Sequence, residues 1–261
     1  MAKKNTTESK MKASVFVETA KKIVKDYKTL YVMGCIGSPL TKSAKKRAIS
    51  SYSYNRKPAR EKLITAASSD TFGFDCVCLI KSILWGWNGD LKAEYGGAKY
   101  ESNGVPDEGA TTFFEHCPDK TSNFDMTLDA GELLWTSGHI GIYIGGGLAV
   151  ECTPSWKDKV QITAVGNIQE QDGYPTRKWL MHGHCPYIDY DTQGKIQVGS
   201  WVRIKPKAHP YGLQTYFASW VYTKVWVVKS IKGDRVVVDK DITGNYSICS
   251  AVNINDLILI Q

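Results

Sequence analysis

The chain contains no stretch approaching the ~18 consecutive apolar residues that a membrane-crossing helix needs, so no membrane span is expected. Its first residues, MAKKNTTESKMKAS, carry lysines with no apolar segment behind them. That excludes an ordinary secretory signal and predicts synthesis and folding in a cytoplasm. Cysteines stand at 35, 76, 78, 117, 152, 185 and 249, an odd number without repeated spacing. A disulfide framework is therefore not expected; a reducing compartment with mostly small, buried thiols is. Metal-ligand spacing is also missing. His182-Gly183-His184-Cys185 has no second ligand pair at a recognisable distance, and Cys76-Val77-Cys78 is too little for a metal or redox pair, so Cys78 is expected to pack inside its helix. No RNA- or DNA-binding motif is present, and no nucleic-acid partner is expected.

What is present describes a globular protein of 261 residues, long enough for one good-sized domain and a smaller one. Its hydrophobic, aromatic and charged fractions, 43%, 11% and 23%, are ordinary for that class. The formal net charge of +7 is unevenly spread: +12 over residues 1–62, −9 over 63–195 and +4 over 196–261. Basic ends of this kind suit a polyanion, and without a nucleic-acid motif an anionic wall polymer is the better match. A solvated surface accounts for the charge equally well.

Residues Val15, Phe16, Ala20, Ile23, Val24 and Tyr27 recur at helical spacing, predicting an amphipathic helix over about 12–28. Residues 41–70 are polar and basic and read as a long excursion with some helix. The run FDCVCLIKSILWGW, residues 74–87, is too long and apolar for a strand and predicts a buried helix ending near Gly86. Residues 89–128 are rich in turn formers. Short β-rich runs follow at 132–136, 139–144, 148–152 and 160–163, separated by glycines. The fold class is therefore α+β, helices first and an antiparallel sheet after them. Composition turns polar near YIDYDTQG, residues 187–194, and strand-like runs resume at 201–204, 225–231, 235–238 and 257–260, with Lys232-Gly233-Asp234 as a hairpin turn. Two domains are expected, residues 1–192 and a small β-barrel over 193–261. Trp85, Trp87 and Trp135 are expected in the core. The dense set Tyr211, Tyr216, Phe217, Trp220 and Tyr222 suits a sugar- or peptide-binding surface or a packed barrel core.

Three residues combine into chemistry. Cys76 opens the apolar helix, where unpaired N–H groups and a partial positive charge favour a thiolate and can hold an oxyanion. A thiol near neutrality also needs a base, and His139 opens the strand His139–Gly145. That base needs a third group to fix its ring. Glu151 lies 12 residues on, across a glycine-rich hairpin, where alternation sets both side chains on one face.

With these residues in view, the chain resembles the NlpC/P60 family of papain-like peptidoglycan peptidases. The shared features are Asp75-Cys76 at the helix start, Gly131-Glu132-Leu133, the His139–Gly145 strand and Glu151 on the next one. Tyr31-Val32-Met33-Gly34 matches the family's upstream tyrosine element, with Cys35 in place of its second glycine. Val77-Cys78 stands where the family usually has Ser-Gly, and its third member is more often His, Asn or Gln than Glu. The tail from about 196 resembles a bacterial SH3-type wall-binding domain, and the whole looks like a phage or mobile-element endolysin.

The resemblance implies a papain-like catalytic domain with catalytic Cys76, His139 and Glu151, and Tyr31 and Asp75 on the substrate or oxyanion side. It implies peptidoglycan as partner and cleavage between D-glutamate and the diamino acid of the stem peptide, in the wall, after release from the cytoplasm. No cofactor is expected. The same pair would serve an N-acetylmuramoyl-L-alanine amidase, a Cys/His acyltransferase or a peptidase with another substrate; a non-catalytic wall-binding relic is disfavoured by the presence of both Cys76 and His139.

Overall fold

The structure, a computed structural model, describes residues 10–124, 128–190 and 196–260. The chain divides into two compact units, Met1–Tyr190 and Asp191–Gln261. The domain boundary expected near 192 and the first nine residues lie outside the described residues.

The first unit begins with β1 (Met11–Lys12) and α1 (Ala13–Asp26). Helical spacing puts Phe16, Val17, Ala20 and Ile23 on one buried face, as the periodicity predicts. After β2 (Thr29–Tyr31) and β3 (Ile36–Pro39) come α2 (Lys42–Ser51), α3 (Pro58–Ala66) and β4 (Phe72–Phe74). The expected excursion is thus two defined helices. Thr41 caps α2, accepting from the Ala44 N–H at 3.3 Å, and Pro58 starts α3, where its missing N–H costs nothing. In between, buried Asn55 donates to the Met33 and Ala48 carbonyls, both at 2.9 Å, and accepts from the Met33 N–H at 3.1 Å. The helical pair is thereby tied to the turn after β2. In that turn Gly34 has φ +73°, and a Cβ there would sit 2.1 Å from the Tyr52 ring, so the position requires glycine on both counts.

β2, β4 and β3 form a three-stranded sheet in that order, and the chain turns out of β4 directly into α4 (Cys76–Leu84). Every residue of α4 is buried. Its single charge, Lys81, is neutralised by Asp107 and donates to the Glu108 carbonyl at 3.0 Å. α5 (Ala110–Glu115) follows, burying Phe113 and Phe114; six residues among turn formers give no periodic signal.

The main sheet is built from β5 (Leu133–Thr136), β6 (His139–Gly145), β7 (Leu148–Thr153), β8 (Lys159–Val165), β9 (Thr176–Arg177) and β10 (Met181–Gly183). The order is β10-β5-β6-β7-β8-β9, antiparallel except for the last pair. β6 and β7 are joined by Gly146 and Gly147, both at positive φ, the requirement of a primed two-residue hairpin turn. β11 (Ile188–Asp189) pairs in parallel with β1. Alternation divides the sheet's side chains between two cores. Leu133, Ile140, Ile142, Val150 and Cys152 join Phe16, Leu79 and Phe113 from the helices, whereas Leu134, Tyr143, Ala149, Val165 and Trp179 form a smaller cluster. Burial on both faces explains why β6 reads as a nearly unbroken apolar run. Each large apolar side chain so buried contributes roughly 1.5–3 kcal/mol.

The second unit contains β12 (Trp201–Ile204), β13 (Trp226–Lys232), β14 (Arg235–Asp241), β15 (Ser247–Asn253) and β16 (Leu257–Leu259). They form one antiparallel sheet in the order β15-β14-β13-β12-β16 around Val202, Ile204, Trp226, Val228, Val236, Val238 and Val252. Gly233, at φ +63°, makes the expected turn between β13 and β14. Phe217 and Tyr222 pack against this core, whereas Tyr211, Tyr216 and Trp220 are exposed. The aromatic cluster is therefore divided, two of its rings packed on the barrel core and three exposed. The molecule as a whole is α+β.

Candidate active site

Asp75 sets the position of Cys76. Its Oδ1 accepts from the Cys78 N–H at 2.7 Å, capping α4, and its Oδ2 accepts from the Gly34 N–H at 2.8 Å. Both oxygens are thus committed to backbone, and a carboxylate offers no donor to an oxyanion. Asp75, expected on the substrate or oxyanion side, joins the start of α4 to the tyrosine turn.

The Cys76 side chain lies near the start of β6, with the backbone N–H groups of Ile140, Val77 and Cys76 itself close by. Those donors favour a thiolate, but burial, helped by the Asp75 charge, outweighs them and pushes the thiol up to about 12. With its thiol held so high and only 8% exposed, Cys76 needs a base, as the sequence leads one to expect.

His139 directly precedes Ile140 and begins β6. Its Nε2 is 2.7 Å from Glu151 Oε2. Among the described residues its Nδ1 makes no hydrogen bond, so that nitrogen is the one left for proton transfer. The imidazole stacks on Trp179, with centroids 5.6 Å apart and planes 11° from parallel. Glu151, fully buried on β7, also accepts from Thr163 Oγ1 at 2.8 Å and from Arg177 Nε at 2.9 and 2.8 Å. Burial alone would raise its carboxyl; the hydrogen bonds and charges of His139 and Arg177 override this and hold it below the ordinary carboxylate value. Sequence reasoning missed Arg177 and Trp179. Both fall in a stretch broken by Gly166, Gly173 and Pro175, and a two-residue strand shows no alternation.

Tyr31 is buried at the end of β2, edge-on to Tyr54 at 5.9 Å with the Arg60 guanidinium 5.7 Å from its ring. Burial, then the nearby Cys76 thiol and Asp75, push its phenol well up, so it remains a proton donor throughout the useful pH range. The structure thus gathers Tyr31, Asp75 and Cys76 at one end of α4, and joins His139 directly to Glu151.

Elsewhere in the unit, Asp129, Glu132 and His184 bring ligand-type atoms within 4.8 Å of one another, the group among the described residues with a cation-binding arrangement. Hydrogen bonding accounts for it. His184 is paired with Asp129 at 3.0 Å and with Asp119, and these carboxylates, with Glu132, push it up to about 9, so it carries its own positive charge at neutral pH. The neighbouring His182 bonds Glu132 and the Asn123 carbonyl, and Cys185 is buried apart, so the His-Gly-His-Cys run is not a common ligand set.

Comparison with known proteins adds no identification: no family model matches the chain, and no curated protein matches it. No helix among the described residues is long and apolar enough to cross a membrane.

Proposed function

We propose that the chain is a peptidoglycan hydrolase of the NlpC/P60 type, a papain-like cysteine peptidase carrying an SH3-like wall-binding tail, as in a phage or mobile-element endolysin. The observation that carries the reading is the arrangement around Cys76. The thiol opens a helix capped by Asp75 and lies near Ile140, the residue after His139, and that histidine's Nε2 is held by a buried carboxylate. In the proposed reaction His139 Nδ1 takes the Cys76 proton as the sulfur bonds to an amide carbonyl carbon of the stem peptide. The tetrahedral oxyanion is met by N–H groups at the start of α4 and by the Tyr31 hydroxyl. As the C–N bond breaks, the imidazolium returns its proton to the leaving amine. Water, deprotonated by His139, then hydrolyses the thioester and restores the thiol. Glu151 keeps the ring turned toward the sulfur throughout. The family likeness favours the bond between D-glutamate and the diamino acid, reached in the wall after release from a cytoplasm.

Digestion of purified peptidoglycan, with the new termini identified by mass spectrometry, tests this. A free γ-carboxyl on D-glutamate together with a free α-amino group on the diamino acid is the expected product pair. A free lactyl carboxyl with an L-alanine amino terminus would reassign the enzyme as an amidase, and no new termini from folded protein would overturn the reading.

The tail reading rests on a separate core and on exposed Tyr211, Tyr216 and Trp220. Residues 196–261 produced alone are expected to pellet with bacterial walls, and residues 1–190 to cut soluble fragments while binding walls less well. A tail that stays in the supernatant with every wall preparation has no targeting role.

A further inference from the structure

We propose that Arg177 is a positioning residue for the Cys76–His139 pair, acting through Glu151, and that Trp156 and Trp179 hold it in place. The inference rests on the Cys/His chemistry proposed above and concerns how that site is tuned.

The Glu151 carboxylate is buried, and its acceptor capacity is filled by His139, Thr163 and Arg177. It therefore has one orientation, held by His139 and by the Arg177 guanidinium together. Arg177 is itself fixed. Its guanidinium lies 4.9 Å from the Trp156 ring centre and 5.5 Å from that of Trp179, and its Nη2 donates to Thr153 Oγ1 at 3.3 Å. Trp179 also stacks on His139, so base and guanidinium share one aromatic neighbour. Trp156 supplies a second sign of purpose. It is half exposed and adopts φ +56°, a left-handed conformation unfavourable for so bulky a residue, and its stacking on Arg177 is what that conformation gains.

The other titratable and charged groups around the pair are Asp75 before α4, Tyr31 on β2, Cys152 on β7, Asp158 after β7 and Arg60 on α3, which pairs with Asp158. None of these is a cation touching Glu151; among the described residues Arg177 fills that place. Without it, the full carboxylate charge would fall on His139 and hold a proton there. Because thiol and imidazole titrate as a unit, both of their ionisation steps would then move to higher pH. Arg177 thus limits how much of the carboxylate's charge bears on the imidazole.

The test compares Arg177→Gln, Arg177→Lys and Trp156→Ala in a Cys249→Ser background, because Cys249 is an exposed competing thiol. The rate of Cys76 alkylation by iodoacetamide is followed against pH by peptide mass spectrometry, alongside kcat/KM on peptidoglycan. Arg177→Gln is expected to shift the alkylation profile and both limbs of the activity profile upward by roughly one pH unit. Arg177→Lys, which keeps the charge but loses the planar fork, should restore the profile while kcat stays reduced. Trp156→Ala should give a smaller shift in the same direction. A Gln profile superimposed on the parent's, or a Lys profile shifted as far as Gln, overturns the proposal. If Arg177→Gln fails to fold, Trp156→Ala decides, and an unshifted profile there overturns it. Alkylation needs no substrate, so a parent that shows this dependence but cuts no peptidoglycan sinks the proposed function and leaves the role of Arg177 standing.

Discussion

Cys76→Ser is expected to lose at least about a thousandfold in turnover on peptidoglycan while melting like the parent. The thiol is already held far from ionisation by burial, and a hydroxyl is harder still to deprotonate; His139 cannot make up that difference. The substitution is nearly isosteric, so the fold has no reason to suffer. Release of new free amino groups from walls and melting by circular dichroism measure the two halves of this expectation. Serine turnover within tenfold of the parent would remove Cys76 from the chemistry.

Glu151 offers the second large effect, and here geometry sharpens what residue types alone suggest. Truncation to alanine takes away the acceptor for His139 Nε2 and leaves the Arg177 guanidinium without its partner. About 3 kcal/mol of stability should go, since breaking a buried pair strands a charge. Activity should fall by roughly a hundredfold or more, because nothing then orients the imidazole. Glu151→Gln keeps an acceptor for the ring but not the charge that answers Arg177, so a loss of about tenfold is expected. The turnover order is then parent, Gln, Ala, Cys76→Ser. The carboxyl is held below its ordinary value, so its stabilisation is complete above the unfolded carboxyl's titration range. It disappears as pH falls through the lowered value. Acid melts of the parent should show this component, and those of the Gln variant should not. Alanine turnover equal to the parent's in folded protein would make Glu151 an anchor for Arg177 alone.

Legibility in the sequence followed the strength of the local pattern. α1 and α4 announce themselves through helical periodicity and an apolar run. β5 to β8 are visible because β-rich runs alternate with turn-forming glycines, and that same pattern placed His139 and Glu151 on one face. Hidden were elements whose reason for existing is tertiary. α5 is six residues long. β10 joins the sheet only through β5, and β15, Ser-Ile-Cys-Ser-Ala-Val-Asn, is half exposed and polar. Arg177 sits on a two-residue strand and matters only because folding sets it against Glu151. The burial that raises the Cys76 thiol was hidden for a related reason: a helix start is visible in sequence, whereas the packing around it is tertiary.

The separation of nucleophile and base along the chain bears on how such a protein is made. Cys76 leaves the ribosome 63 residues before His139 and 101 before Arg177. The His139–Glu151 half is a hairpin closed by two glycines and can pair within roughly 1–10 μs once both strands are out. Until then the emerging chain carries only an unassisted thiol, and even afterwards the base is not fully set before β9 adds Arg177. On the proposed chemistry, a stalled product ending before the last strands of the sheet would carry the thiol without the His139–Glu151–Arg177 support.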